Sequence, residues 1–103
     1  MKEFDVTIVG LGPAGGTLAN LLAMHGFSIL ILDREKSFYP LPRAVHFDDE
    51  IMRVFQTIGI TKEFLKHTII NKGTKFVNSK DKVILDWPRP KKITDNGWYP
   101  SYR

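Results

Sequence analysis

Short apolar runs and one helical stretch alternate over the first third of the chain. Residues 6–9 form a β-branched run that predicts a strand. Apolar residues recur near helical spacing over residues 14–25, and Gly26 follows where a helix C-terminal cap belongs. A second apolar run, residues 28–32, predicts a second strand that ends at Asp33. This order predicts a β-α-β unit with parallel strands, and therefore an α/β fold that is Rossmann-like.

The middle of the chain changes to a loop and two helical segments. Residues 34–43 contain two prolines and show neither helical nor strand periodicity, which predicts a loop. Three acids at residues 48–50 favour the first turn of a helix, because they complement the helix dipole. This helix is expected to end at Gly59. Thr61 is then predicted to cap a short helix through Lys66.

From residue 70 onward the pattern indicates antiparallel β-structure. Residues 73–78 and 82–86 read as two strands of a hairpin, and residues 87–103 look irregular. We therefore expect a division between residues 1–70, a partial nucleotide-binding domain, and residues 71–103, a hairpin and tail that begin a second, β-rich layer.

A glycine-rich sequence follows the first strand without a spacer. Gly10 allows a sharp turn out of the strand, Gly12 removes a side chain where a pyrophosphate approaches, and Gly15 allows close helix–strand packing. Pro13 suits the first helical position because its missing N–H would have no partner there. The free amides and positive dipole end of the new helix attract phosphate. The candidate phosphate-binding residues are Gly10, Leu11, Gly12, Pro13, Ala14 and Gly15.

An acid and two arginines complete the candidate site. Asp33 lies 23 positions after Gly10, close to the spacing expected for a carboxylate that binds a ribose hydroxyl. The pattern therefore predicts dinucleotide binding, against the alternative of an ordinary β-α-β corner with a solvated Asp. Arg34 either lies over the adenine or faces water. Arg43 ends the proline-containing loop and is either a phosphate ligand or a surface arginine.

Composition narrows the class of protein. The 103 residues suffice for one small domain, and no apolar run approaches the roughly 18 residues of a membrane helix. Cysteine is absent, and the first five residues do not resemble a signal peptide. We therefore expect a cytoplasmic protein with no membrane partner.

Charge and histidine placement add no further site. The net charge of +4 comes from a basic second half, but its lysines are scattered and no nucleic-acid motif accompanies them, so a solvated basic face is expected. The histidines have no metal-ligand spacing, and no catalytic acid or base can be named.

The order of the motifs resembles a known family of flavoproteins. Gly-Leu-Gly-Pro-Ala-Gly at residues 10–15, Ile-Leu-Ile-Leu-Asp-Arg-Glu at 29–35 and Leu-Pro-Arg-Ala at 41–44 are similar to the N-terminus of the FAD-dependent aromatic-ring hydroxylases of the para-hydroxybenzoate hydroxylase type. Residues 41–60 most resemble the 3-(3-hydroxyphenyl)propionate hydroxylase branch. The similarity covers the whole chain.

The resemblance implies a cofactor and a reaction. It implies FAD, with the diphosphate over residues 10–15, the adenosine ribose on Asp33, and Arg43 near the flavin phosphate or ribityl chain. In such enzymes NAD(P)H reduces the flavin, and O2 is then used to hydroxylate a phenolic substrate. Members usually carry Glu where this chain has Asp33, and Asp can still accept hydroxyl hydrogen bonds over a shorter reach.

Length separates this chain from the enzymes that it resembles. They run to several hundred residues, and their second FAD segment, a Gly-Asp motif, has no counterpart here, so we expect an N-terminal fragment. The apolar residues 6–9 read as a strand buried on both faces, and later strands cover that sheet in the family. We therefore expect marginal stability or self-association through the uncovered sheet. The alternatives are another FAD- or NAD-linked oxidoreductase fragment, or a non-catalytic remnant.

Overall fold

Two compact units make up the chain. The computed structural model describes residues 1–38, 40–41 and 45–103. Its first unit is Met1–Pro42 and its second is Arg43–Arg103. The division near residue 70 that the sequence suggests concerns the start of a β-rich layer, and it stays a prediction.

The first unit is the predicted β-α-β element. Strand β1, Val6–Val9, pairs in parallel with β2, Ile29–Leu32, in a register that joins Val6 to Ile29 and Val9 to Leu32. Helix α1, Pro13–Met24, is the crossover between them. The expected α/β fold is confirmed.

A carboxylate ties the two strands together where they begin. Asp5 accepts hydrogen bonds from the Ser28 amide at 2.7 Å and from the Ser28 hydroxyl at 2.6 Å. These bonds from Ser28 lower the pKa of Asp5, because they stabilise its ionised form. The end of the sheet opposite the glycine-rich corner is therefore held by its own side-chain contact.

Helix α2, Asp49–Thr57, lies in the second unit and begins where the acidic pattern predicts. Asp48 is its N-cap, and the carboxylate accepts the Ile51 amide at 2.9 Å. Gly59 follows the helix with φ +82°, which confirms the predicted end. The prediction that Thr61 caps the next helix is wrong, because Thr61 is the first residue of that helix.

The N-cap of the short helix after Gly59 lies one residue earlier than predicted. Helix α3, Thr61–Phe64, has Ile60 at its N-cap and no side-chain capping bond, and a 3-10 turn, Leu65–His67, continues it. The Phe64 amide bonds the Ile60 carbonyl at 2.9 Å, so the backbone turn forms without help from the threonine hydroxyl.

The predicted hairpin is present in the second unit. Strand β4, Gly73–Val77, pairs antiparallel with β5, Val83–Pro88, with an irregularity between Phe76 and Val77. In the turn, the Asn78 side chain accepts the amides of Lys80 and Lys82 at 2.9 and 3.0 Å. This Asx-type contact explains why a polar connection suffices to reverse the chain.

The tail is less irregular than its sequence suggests. Strand β6, Ser101–Tyr102, pairs antiparallel with β3, Phe47–Asp48. This pairing places Tyr102 against Phe47 in a stacked arrangement with ring centroids 5.5 Å apart. Together with fully buried Met52, the aromatic rings form the core of this unit: Phe47, Phe55, Phe64 and Tyr102.

Much apolar surface stays exposed in each unit. In β1 only Ile8 is buried, and Val9 is 84% exposed, so the expected burial on both faces is not observed. The reason is that two strands and one crossover helix cannot cover both faces of a sheet. Within the described residues, no helix has the length and apolar character needed to cross a bilayer.

Candidate functional site

The turn between β1 and α1 is built on a left-handed glycine. Gly10 has φ +104°, a conformation that residues with a side chain rarely adopt. Its amide donates to the Leu32 carbonyl at 2.7 Å, so the corner is attached to the end of β2. The chain can therefore leave β1 abruptly and present the next amides at the same edge.

Gly15 stands where the helix approaches the strand most closely. A Cβ atom at this position would lie 2.1 Å from the Gly10 carbonyl oxygen and 3.3 Å from Cγ2 of Ile8. The nearer neighbour is a backbone atom, so no side chain could be accommodated without moving the backbone. Glycine at this position sets the distance between α1 and β1.

Gly12 faces open space at the beginning of α1. It is the N-cap residue, with φ −84° and ψ −174°, and a Cβ atom built on it would meet nothing within 4 Å. Pro13 occupies the first helical turn and removes one amide that would have no partner. The amides of Ala14 and Gly15 lie in this first turn, where intrahelical acceptors are lacking. An uncovered, anion-attracting surface results.

The carboxylate of Asp33 is directed at the glycine-rich corner. Its Oδ2 accepts the Leu11 amide at 2.5 Å, and its Oδ1 accepts the Glu35 amide at 2.8 Å. The Leu11 bond and then the Glu35 bond lower the pKa of Asp33, and the charge of Arg34 acts in the same direction. Asp33 is therefore ionised and held beside the corner.

Of the two arginines in the predicted site, the structure describes Arg34. The Arg34 side chain is 88% exposed, and its Nε lies 3.3 Å from Oε1 of Glu35. Arg43 lies outside the described residues.

Sequence reasoning missed the Glu35 amide as a partner of Asp33. An Asp that accepts the amide two residues later is a common local pattern and could have indicated it.

These groups can bind an anion and a polyol side by side. Helix α1 offers amides and a positive dipole end without a side chain above them, and Asp33 offers carboxylate oxygens to hydroxyl donors. The described residues contain no cluster of His, Asp and Glu that could hold a metal ion. The open space at Gly12 fits a nucleotide diphosphate, and the nearby acid fits its ribose.

Comparison with known proteins identifies the family. Residues 3–101 match the model of the FAD binding domain. The chain belongs to this FAD-binding family. This match confirms FAD, the cofactor that the resemblance implies.

Two curated relatives are hydroxylases. The chain is 47% identical over 85 residues to the Probable NADH-specific resorcinol 4-hydroxylase of Rhodococcus jostii (strain RHA1), which covers 82% of this chain and 16% of the relative. It is 40% identical over 88 residues to the 3-(3-hydroxy-phenyl)propionate/3-hydroxycinnamic acid hydroxylase of Mycolicibacterium gilvum (strain PYR-GCK), with coverages of 85% and 16%. The chain thus spans about one sixth of their length. The resemblance to aromatic-ring hydroxylases is confirmed.

A solved structure shares the fold. A variant of P. aeruginosa PqsL superimposes with a TM-score of 0.76 at 20% sequence identity, over 98% of this chain and 26% of that one. The architecture described above is therefore that of the corresponding part of a larger folded protein.

Proposed function

We propose that this chain binds FAD through the β1–α1 corner. The diphosphate lies over residues 10–15, against the amides at the start of α1, and the adenosine ribose donates hydroxyl hydrogen bonds to Asp33. The observation that supports this most directly is the open space at Gly12, where a side chain would meet no protein atom. A ligand, rather than packing, accounts for a glycine at that position.

Each residue of the proposed site has a separate role. Gly10 turns the chain, Gly15 sets the helix distance, and Gly12 leaves room for phosphate oxygens. Leu11, Pro13 and Ala14 complete the main-chain surface. Arg34 is assigned to the adenine. The resemblance to aromatic-ring hydroxylases assigns Arg43 to the flavin phosphate or ribityl chain, because a guanidinium pairs well with oxyanions.

The reaction proposed for the protein is aromatic hydroxylation. The names of the curated relatives specify resorcinol and 3-(3-hydroxyphenyl)propionate as substrates. We infer that the chain is the FAD-binding portion of an NAD(P)H-dependent monooxygenase that acts on a phenolic compound in the cytoplasm. When bound, FAD supplies the redox chemistry of such a reaction. The residues described here bind and orient its adenosine diphosphate half.

Two glycine variants test the binding site. Gly12→Ala is compatible with the backbone and meets no protein atom, but its methyl group enters the space assigned to the diphosphate. Gly16→Ala, one helical turn away, makes only an ordinary contact with Leu11 and is the matched control. FAD titration followed by flavin fluorescence should show roughly tenfold or greater weakening for Gly12→Ala, because the close approach is lost. Gly16→Ala should bind like the wild type.

Equal affinity of Gly12→Ala and wild type would overturn the assignment of the diphosphate to this corner. Wild-type protein that gains no bound flavin on FAD addition would favour the non-catalytic remnant. With FAD bound, NADH and NADPH oxidation is measured with and without 3-hydroxyphenylpropionate. Stimulated oxidation supports the hydroxylase, and unstimulated oxidation favours another FAD- or NAD-linked oxidoreductase.

A further inference from the structure

We propose that Asp33 is a positioning residue that braces the glycine-rich corner before a nucleotide binds. The corner is attached to β2 at two successive residues. The Gly10 amide bonds the Leu32 carbonyl at 2.7 Å, and the Leu11 amide bonds Oδ2 of Asp33 at 2.5 Å. The second attachment depends on a side chain, so a substitution can remove it without changing the strand.

The sheet geometry explains why a side chain is needed there. The parallel register ends with the pair Val9–Leu32, and Gly10 turns away with φ +104°. Leu11 follows this turn, and its amide bonds a carboxylate in place of a ladder carbonyl. Because a charged acceptor forms a stronger bond than a neutral one, a single carboxylate can hold an exposed loop amide.

The carboxylate is itself held in orientation. Oδ1 of Asp33 accepts the Glu35 amide at 2.8 Å while Oδ2 accepts Leu11, so each oxygen has one main-chain donor. Each carboxylate oxygen can accept a second hydrogen bond, which leaves capacity for two ribose hydroxyls. Bracing of the corner and binding of the ribose are therefore compatible roles for one side chain.

A consequence concerns the donors available to the diphosphate. The Leu11 amide is already bonded to Asp33, so the phosphate oxygens bond to the amides further along, at the start of α1. This refinement rests on the proposed function. The bracing itself does not, because it rests only on hydrogen bonds between atoms of this chain.

Hydrogen exchange in the full chain without FAD tests the bracing. Asp33→Ala removes the hydrogen-bond acceptor of the Leu11 amide. We expect hydrogen exchange of this amide, measured by NMR, to accelerate by roughly threefold to tenfold. The expected acceleration is modest because the bond is exposed to solvent. Asp5→Ala is the matched control, since Asp5 holds the opposite end of the same two strands through Ser28. It should accelerate exchange at Ser28 and leave Leu11 unchanged.

A pH titration supplies a readout that a general loss of stability would not give. In the wild type and in Asp5→Asn, the Leu11 amide proton shift should follow ionisation of residue 33, whereas in Asp33→Asn this dependence should disappear. Asn retains an oxygen acceptor, so it should restore part of the exchange protection that Ala removes.

Unchanged Leu11 exchange in Asp33→Ala would overturn the proposal, and so would equal acceleration of Leu11 exchange in Asp33→Ala and Asp5→Ala. A separate FAD titration distinguishes this outcome from failure of the proposed function. If the wild type binds FAD but Asp33→Ala leaves Leu11 exchange unchanged, the bracing is rejected and the proposed binding site is not. A sensitive Leu11 amide in a chain that does not bind FAD supports the bracing and rejects the binding site.

Discussion

Three glycines within five positions meet different surroundings. A Cβ on Gly12 would enter open space, one on Gly15 would collide with the Gly10 carbonyl, and one on Gly16 would make an ordinary contact. Within one helical turn, glycines therefore differ: packing requires Gly15, packing leaves Gly16 replaceable, and packing gives no reason for Gly12, which the proposed function assigns to the diphosphate. Substituting each by alanine separates binding from stability.

Gly15→Ala should destabilise the first unit. The added methyl group would lie 2.1 Å from the Gly10 oxygen, and a backbone atom cannot move aside as a flexible side chain can. We expect a loss of about 1–3 kcal/mol in the free energy of unfolding, which is typical of an overpacked site. Urea denaturation followed by circular dichroism measures it.

The control for this substitution is Gly16→Ala. Alanine is preferred to glycine inside a helix by about 1 kcal/mol, and nothing near Gly16 opposes the methyl group. Its free energy of unfolding should stay level or rise. If both variants unfolded at the same urea concentration, the close approach of α1 to β1 would not be what Gly15 is needed for.

The sequence predicts which residues form this corner better than it predicts the hydrogen bonds between them. The spacing of Gly10, Gly12 and Gly15 and the 23 positions to Asp33 match the pattern of a dinucleotide-binding β-α-β corner, so they can be recognised from the sequence alone. The bond between Asp33 and the Leu11 amide depends on a side-chain rotamer and on the exact end of the strand register. Neither leaves a signal in the sequence.

At the scale of elements, Asp49 links helix α2 to the C-terminal tail. Oδ2 of Asp49 accepts the Thr94 hydroxyl at 2.6 Å and the Asn96 side-chain amide at 2.7 Å. About two helical turns further along α2, the Trp98 indole donates to the Gln56 side-chain oxygen at 3.3 Å. The acid that the sequence assigns only to the helix dipole therefore also anchors residues 94–98.

The anchor makes the second unit sensitive to acid. Hydrogen bonds from Thr94, and then from Asn96, lower the pKa of Asp49 below its ordinary value of 3.8. A carboxyl group with a lowered pKa contributes stability that is present above 3.8 and is lost as pH falls through the lower, folded-state value. Thermal unfolding followed by circular dichroism should therefore show a melting temperature that drops over this acidic range.

Asp49→Asn should remove part of this dependence and lower stability near neutral pH by about 1 kcal/mol, since the bonds lose their charge and lie near solvent. Glu50→Gln is the control, because Glu50 occupies the same first turn and is exposed. It should keep the acid sensitivity of the wild type. A parallel loss of acid sensitivity in both variants would show that the helix dipole, rather than the tail anchor, is responsible.

The elements that the sequence predicts are those with a local signal. The acidic start of α2, Gly59 after α2 and the β4–β5 hairpin each follow from neighbouring residues. The pairing of β3 with β6 joins two-residue strands that lie more than fifty positions apart. Such strands are too short for an alternating pattern, and what pairs them is the packing of Phe47 on Tyr102, which becomes visible only in three dimensions.

At the scale of the whole molecule, exposed apolar side chains are the main feature. Val9 in β1 is 84% exposed, and Ile84 in the hairpin is 70% exposed. Within the first unit, helix α1 is the helix that packs on the two-stranded β1–β2 sheet, so part of the sheet stays uncovered. An uncovered apolar sheet favours association. We predict that the chain self-associates through the β1–β2 sheet, or is marginally stable where it does not.

Matched lysine substitutions locate the associating surface. Val9→Lys places a charge on the exposed β1 position, and Val77→Lys makes the same change at a half-exposed position of the hairpin. Sedimentation velocity over a wide concentration range should show association in the wild type and in Val77→Lys. The Val9→Lys variant should be mainly monomeric, because association would bury an unpaired charge, which is costly. Association lost only in Val77→Lys would move the contact to the hairpin. A wild-type chain that stayed monomeric throughout and melted in a sharp cooperative transition would show that the exposed sheet neither recruits a second copy nor limits stability.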